Sequence, residues 1–211
     1  MVPDGDGTPD LRGALEDART ATSLAPDAGS FHVTLGNVLD DLGRTDEALA
    51  AYDTAIELEP DMAYAYRNRS LARSRSGDSA GARDDLDRAL ELDPEYAEAY
   101  NDRAFDAVFD GDCDAALADA DRALELDERS ANGHAIRALC VDDPDDALDE
   151  AEAAIELGRR DCWMYTVVGL IQAERGEPAE AREALERALA IAPDAATADD
   201  VRQLIAELPE P

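Results

Sequence analysis

IELEPD at residues 56–61, LELDPE at 90–95 and LELDER at 124–129 are one phrase written three times, 34 residues apart. Each copy follows an alanine, at Ala55, Ala89 and Ala123. Two further copies, IELGRR at 155–160 and LAIAPD at 189–194, follow Ala154 and Ala188, so the register survives five times. Pro26, Pro60 and Pro94 keep the same spacing, and Pro193 closes the last copy. A period of this length marks a repeat architecture, in which one supersecondary unit buries its apolar side against the next.

Two more columns hold small residues in this register. One contains Ala48, Ala82, Ala116, Ala147 and Ala181; the other contains Gly36, Ser70, Ala104, Ala138 and Gly169. Small side chains recur where backbones must approach closely. Within each block apolar residues recur at intervals of three and four on both sides of a central break, which predicts a pair of helices. The breaks read LGRTDEA, SGDSAGA, DGDCDAA and RGEPAEA. Gly43, Gly77, Gly111 and Gly176 suit the left-handed residue that ends one helix, and a nearby Asp, Ser or Thr can cap the next. Pro178 fits a first helical turn, and the block-ending prolines stop each second helix.

The arrangement resembles the tetratricopeptide repeat, whose pattern is best matched by His32, Leu35, Gly36, Leu39, Ala48, Tyr52, Ala55 and Pro60. Five blocks carry it: residues 29–62, 63–96, 97–130, 131–161 and 162–195. Residues 9–28, with Ala14, Ala18, Ala21 and Pro26 in the second-helix columns, read as a half repeat. Residues 196–211 place Val201, Leu204, Ile205 and Leu208 on one face, as a capping helix requires. Residues 1–8 read as a flexible terminus. The resemblance implies an all-α fold, an α-solenoid of antiparallel helix pairs wound as a right-handed superhelix, with twelve helices: one, five pairs, and one. In the fourth block eight residues separate Ala138 from Ala147 where the others have eleven, which predicts a shortened first helix or turn and a local distortion.

Chemistry-bearing residues are sparse. His32 and His134 share a column with Tyr66, Tyr100 and Tyr165 and read as packing residues, since neither has neighbours at metal-ligand spacing. DGDGTPD at the start lacks the glycine and closing glutamate of a calcium loop. No phosphate loop, nucleophile elbow or paired metal-binding histidines occur. The expectation is therefore no enzyme, no cofactor and no metal. Cys113, Cys140 and Cys162 are odd in number and fit no disulfide or metal pattern, so they read as buried thiols. Arg69, Arg103 and Arg137 recur as a ladder expected to brace the stack by pairing with Asp85 and Asp119 on neighbouring helices. Arg67, Arg69, Arg73 and Arg75 form a basic island without one acid, readable either as a binding patch or as charge relief against acidic helices.

In the family that the blocks resemble, the first helix of each pair lines a concave groove. Carrying its columns onto this chain gives Val33 and Asn37, then Arg67, Asn68, Leu71 and Arg75, then Asn101 and Phe105, and finally Ala135, Leu139, Thr166 and Leu170. Amides and apolar groups in one lining suit a peptide, whose backbone both donates and accepts while its side chains need pockets. One subclass clamps a C-terminal carboxylate with two asparagines and three cations. Asn37 and Asn68 match, but Val33, Glu98 and Asp102 stand where the cations would be. The resemblance thus implies a protein-interaction scaffold that binds an extended or helical protein segment, with self-association of the array into a homo-oligomer as the alternative.

The 211 residues carry 51 acids against 19 bases, a formal charge of -32. Every base is arginine. Such a surface repels phosphate backbones and anionic lipids, so nucleic acid and membrane are poor partners. No stretch of about 18 apolar residues exists and the start lacks a cationic and an apolar segment, which reads as a cytoplasmic protein. The composition resembles that of salt-accumulating halophiles, haloarchaea in particular. At about 1 M salt the Debye length is roughly 3 Å, so repulsion among the carboxylates is screened; at low ionic strength it strains the fold. Circular dichroism is expected to show helix loss between about 2 M and about 0.05 M KCl, and an unchanged spectrum would contradict the adaptation.

Overall fold

The computed structural model describes residues 10–209; the stretch 1–8 read as flexible lies outside them. Among the described residues the chain is all α, with twelve helices and no strand. In order they are α1 (Leu11–Leu24), α2 (Gly29–Asp41), α3 (Thr45–Leu58), α4 (Ala63–Ser76), α5 (Ser79–Leu92) and α6 (Ala97–Asp110). Then follow α7 (Cys113–Leu126), α8 (Ala131–Cys140), α9 (Pro144–Glu156), α10 (Cys162–Glu174), α11 (Pro178–Ala190) and α12 (Ala195–Glu207).

The breaks do what their residues dictate. Gly43, Gly77, Gly111 and Gly176 all have positive φ, between 71° and 88°. Each closes a Schellman motif: Gly77 N–H donates to Ser74 O and Asp78 N–H to Arg73 O, and the other three repeat the pattern. After Gly77 and Gly111 an aspartate then caps the next helix, Asp78 accepting from Gly81 N–H and Asp112 from Ala115 N–H. One tight turn thus ends a helix, reverses the chain and starts the partner helix within two residues.

The chain divides into two compact units, residues up to Ala99 and from Tyr100 onward. In the first, α1 packs on α2, α2 on α3, α3 on α4 and α4 on α5. In the second, α7 through α12 pack each on the next, and α6 contributes Ala104, Phe105 and Val108 to a cluster with Ala116, Ala120 and Ile136. All three small-residue columns are buried: Ala48, Ala82, Ala116 and Ala181, for example, have no exposed surface. A Cβ on Gly36 would collide with the ring of Tyr52, and one on Gly169 would lie 2.7 Å from Leu185 Cγ. The second helix therefore seats its largest side chain on the glycine of the first.

The end helices behave as the register implies. Leu15 and Ala18 of α1 are buried, and Val201 of α12 is buried beside Leu185 and Ala188, with Leu204, Ile205 and Leu208 packed at its edge. The fourth pair loses its residues from the first helix: α8 has 10 residues where α4 has 14, and its turn runs through three residues, Val141 to Asp143, with no glycine.

This truncation corrects the reading of the cysteines. Cys113 and Cys140 form a disulfide, with Cα atoms 5.1 Å apart, and Cys162 alone is free and buried. Cys113 opens α7 and Cys140 closes the shortened α8. Antiparallel packing lays the end of one beside the start of the other, a juxtaposition invisible in a linear spacing of 27 residues. Such bonds persist in oxidising compartments, which stands against the cytoplasmic reading.

The column of His32, Tyr66 and His134 also has its physical basis. His32 Nε2 donates to Pro26 O at 2.9 Å, Tyr66 Oη to Pro60 O at 3.3 Å and His134 Nε2 to Glu128 O at 3.3 Å, each six residues upstream. Any ring with a polar tip of that reach ties the first helix to the turn before it.

Arg69 and Arg103 pair bidentately with Asp85 and Asp119 as the ladder predicts, Arg69 Nη2 lying 2.6 Å from Asp85 Oδ1 and Arg103 Nε 2.7 Å from Asp119 Oδ2. Arg137 meets Glu150 instead, at 2.7 Å. Arg69 on α4 also reaches Asp53 on α3, and Arg137 on α8 reaches Asp121 on α7, so one guanidinium joins its own pair to the preceding one. Burial alone would lower the pKa of Arg69, but the hydrogen bonds it donates to Asp85 and Asp53 raise it well beyond its ordinary value. Asp85 is 3% exposed at its side chain. Arg73 Nη1 is its second partner at 2.9 Å, so Arg69→Ala leaves the buried carboxylate half-paired and is expected to cost about 1–3 kcal/mol, and Arg69→Ala with Arg73→Ala, which strands it, about 3–5 kcal/mol. Urea unfolding at high salt measures this, and an unmoved midpoint for the single variant would contradict it. For the disulfide, a loop of this length contributes about 3–4 kcal/mol. Reduction should lower Tm, and protein unfolded without reductant should titrate one thiol, Cys162; three thiols would contradict the bond.

Candidate functional site

The carried-over site residues separate into two classes once the helices are packed. Val33 is buried in the cluster that also holds Met62, Asn101 is 4% exposed, and Ala135 has no exposed surface. None of the three faces an open groove, which corrects the reading. Their column is turned toward the following pair. Asn101 Nδ2 donates to Ser130 Oγ at 2.9 Å, and the Arg67 guanidinium lies 5.8 Å from the centre of the Tyr96 ring. Met62, Tyr96 and Ser130 are each 29 residues beyond their partners and each immediately precedes a first helix. The column couples one repeat to the next.

The column one turn later is the open one. In the first unit it presents Asn37 and Leu71, which meet Asn68, Arg75, Asp40, Asp41 and Tyr52 around a concavity of about 180 Å³ between α2, α3 and α4. Tyr52 Oη donates to Asn37 Oδ1 at 2.8 Å, and Asn68 Nδ2 donates to the same oxygen at 2.9 Å. Both bonds fix the amide orientations. Among the described residues nothing engages Asn37 Nδ2 or Asn68 Oδ1, so both stay unspent on residues that line the concavity. Burial pushes the Tyr52 hydroxyl far above its ordinary range, with Asp40 adding in the same direction, and it stays a neutral donor throughout the accessible pH range.

Three of the four arginines of the basic island are paired with acids. Arg69 is held by Asp85 and Asp53, Arg73 by Asp85 and Asp78, and Arg75 by Asp40. Arg75 lines the concavity but arrives there already paired.

In the second unit Phe105 and Leu139 are half-buried, Thr166 returns its hydroxyl to Cys162 O on its own helix, and Leu170 is exposed. Sequence reasoning missed Arg159 and Trp163. The Phe105 and Trp163 rings are 6.1 Å apart, and the Arg159 guanidinium lies 5.0 Å from the first and 4.8 Å from the second. Burial lowers the pKa of Arg159. Trp163 also walls an apolar trough of about 510 Å³ with Thr166, Ile191, Val201 and Leu204. The available signal was that the chain's single tryptophan stands in the column of exposed Tyr64. No helix is long and apolar enough to cross a membrane, and no group of three or more His, Cys, Asp or Glu among the described residues could hold a metal ion.

A family model described as tetratricopeptide repeat matches residues 10–63, 33–97 and 134–196, most of the chain. The chain belongs to the tetratricopeptide repeat family. Solved structures agree on the fold. A chain of the Cut9–Hcn1 heterotetramer of the APC/C superposes with a TM-score of 0.84 at 20% identity, over 93% of this chain and 40% of that one. YrrB, a tetratricopeptide repeat protein with an unusual peptide-binding site, gives 0.63 at 23% identity over 90% and 100%. Yeast Tom70 gives 0.70 at 18% identity over 98% and 43%. The chain thus spans about two fifths of the length of that heterotetramer chain and of Tom70.

Proposed function

We propose that this tetratricopeptide repeat chain is a non-enzymatic protein-interaction scaffold that takes an extended or helical segment of a partner on its first-helix faces. The observation that carries this reading is the unspent donor of Asn37 and acceptor of Asn68 in a concavity that Leu71 also lines. A peptide unit offers one carbonyl and one N–H, and pairs with such an amide couple without leaving a polar group stranded. Membership of the family supports the scaffold reading, as does the likeness to YrrB, whose own site binds peptide. In the second unit Leu139, Thr166 and Leu170, with the Phe105–Arg159–Trp163 stack, form the apolar counterpart.

Self-association is the second reading, favoured by Phe109, which is 86% exposed; light scattering at high salt giving a defined oligomer that Phe109→Ser dissolves would support it.

The test of the peptide reading is selection from a displayed random peptide library in about 2 M KCl, where the chain's charges are screened. A selected peptide should bind Asn37→Ala/Asn68→Ala more weakly by on the order of 30-fold, at about 1 kcal/mol for each lost bond, with helicity retained. Equal affinity for the double variant, or no selectable peptide, would overturn the reading.

A further inference from the structure

The column that couples one repeat to the next is covered at its first four positions. Val33 lies in one buried cluster with Met62, and the Arg67 guanidinium lies 5.8 Å from the centre of the Tyr96 ring. Asn101 donates to Ser130 Oγ at 2.9 Å, and Ala135 shares a buried cluster with Met164. The fifth position is Thr166. The residue that precedes the next helix there is Asp194, and its carboxylate serves that helix, accepting from Thr197 N–H at 2.8 Å. A carboxylate committed to a cap does not fill an apolar seat. Thr166 therefore lines an open trough of about 510 Å³ with Trp163, Ile191, Pro193, Val201 and Leu204.

The trough is accessible, with Trp163 39% and Ile191 46% exposed, and its volume falls in the range of ligand pockets, about 300–1,000 Å³. The earlier positions indicate what fits it. Met62 and Tyr96 cover the first two and Met164 the fourth, so the seat suits a thioether or an aromatic ring, which bury much apolar area on few rotatable bonds or adapt to an irregular wall. The charged residues lining the trough, Arg160, Asp161 and Asp200, are all exposed, one cation against two carboxylates. With a formal charge of -32 on the chain, this favours a basic residue beside the entering group over an acidic one.

We propose that the trough between α10 and α12 seats a methionine or aromatic side chain of the bound segment, with a lysine or arginine beside it facing Asp200. The proposal rests on the peptide-binding reading and gives it an anchor in the second unit. A partner supplies the covering side chain that the chain itself omits at its last junction.

The test uses the full chain in about 2 M KCl, where long-range repulsion is screened and apolar contact persists. The probe is a peptide selected from a displayed random library free of tryptophan. Trp163 is the chain's single tryptophan, so its emission reports the trough. Binding should shift that emission to shorter wavelength, and replacing one methionine or aromatic residue of the peptide by alanine should remove the shift and weaken binding about tenfold or more. Thr166→Met, which fills the seat from within, should bind the peptide as weakly as the native chain binds its alanine form, and no longer distinguish the two. Should Thr166→Met lose helicity, Thr197→Met fills the seat from α12 and should give the same result. Selected peptides without a methionine or aromatic residue, an emission that stays in place on binding, or a filled seat that still distinguishes the two peptides would overturn this proposal and leave the peptide reading standing. A shift that appears without peptide as the chain is concentrated, and that Phe109→Ser removes, would give the trough to a second copy and overturn it as well. Failure to select any peptide would overturn both.

Discussion

Helices this poor in aromatic residues can hold together only if their backbones come close, and the columns of alanine, glycine and serine set that distance. Tyr52 lies where a Cβ on Gly36 would have to be, and Leu185 does the same at Gly169. Because the contact is made by the absence of a side chain, it tolerates little change in the helix that presents it and much on the faces that point elsewhere. Interiors at close-packed density leave no slack for a larger residue. Everything exposed on the first helices is positioned from this seam.

The arginines add a second, longer-range tie. A guanidinium that reaches both its own second helix and that of the preceding pair ties two neighbouring pairs together, at Arg69 in the first unit and at Arg137 in the second. In so acidic a chain this also disposes of carboxylates that would otherwise repel across the interface. Three arginines of the basic island are held in the same way, by Asp85, Asp78 and Asp40.

The helices, their breaks and the capping face were legible because each rests on a local rule repeated in register: glycine at a left-handed turn, aspartate at a cap, alanine at a crossing. The ladder was legible for the same reason. The groove was half legible. Asn37 and Leu71 lie on the open column, but Val33, Asn101 and Ala135 stand one turn earlier, where the next repeat covers them, and no single repeat contains the surface that does so. Tyr52 and Asp40 entered the site through the pairing of their helices, the first from a position that the repeat pattern assigns to packing. Cys113 and Cys140 meet only because α8 ends a turn early, a consequence of the deletion that linear spacing could not assign to a partner.

The central claim is that the amides of Asn37 and Asn68 meet a partner's backbone. Nitrogen-15 correlation spectra of the chain at high salt, recorded with and without a bound peptide, test it most directly. The account predicts that the side-chain amide signals of Asn37 and Asn68 shift together and gain protection from exchange. Unmoved signals there, with the changes gathered instead on the second helices, would contradict it.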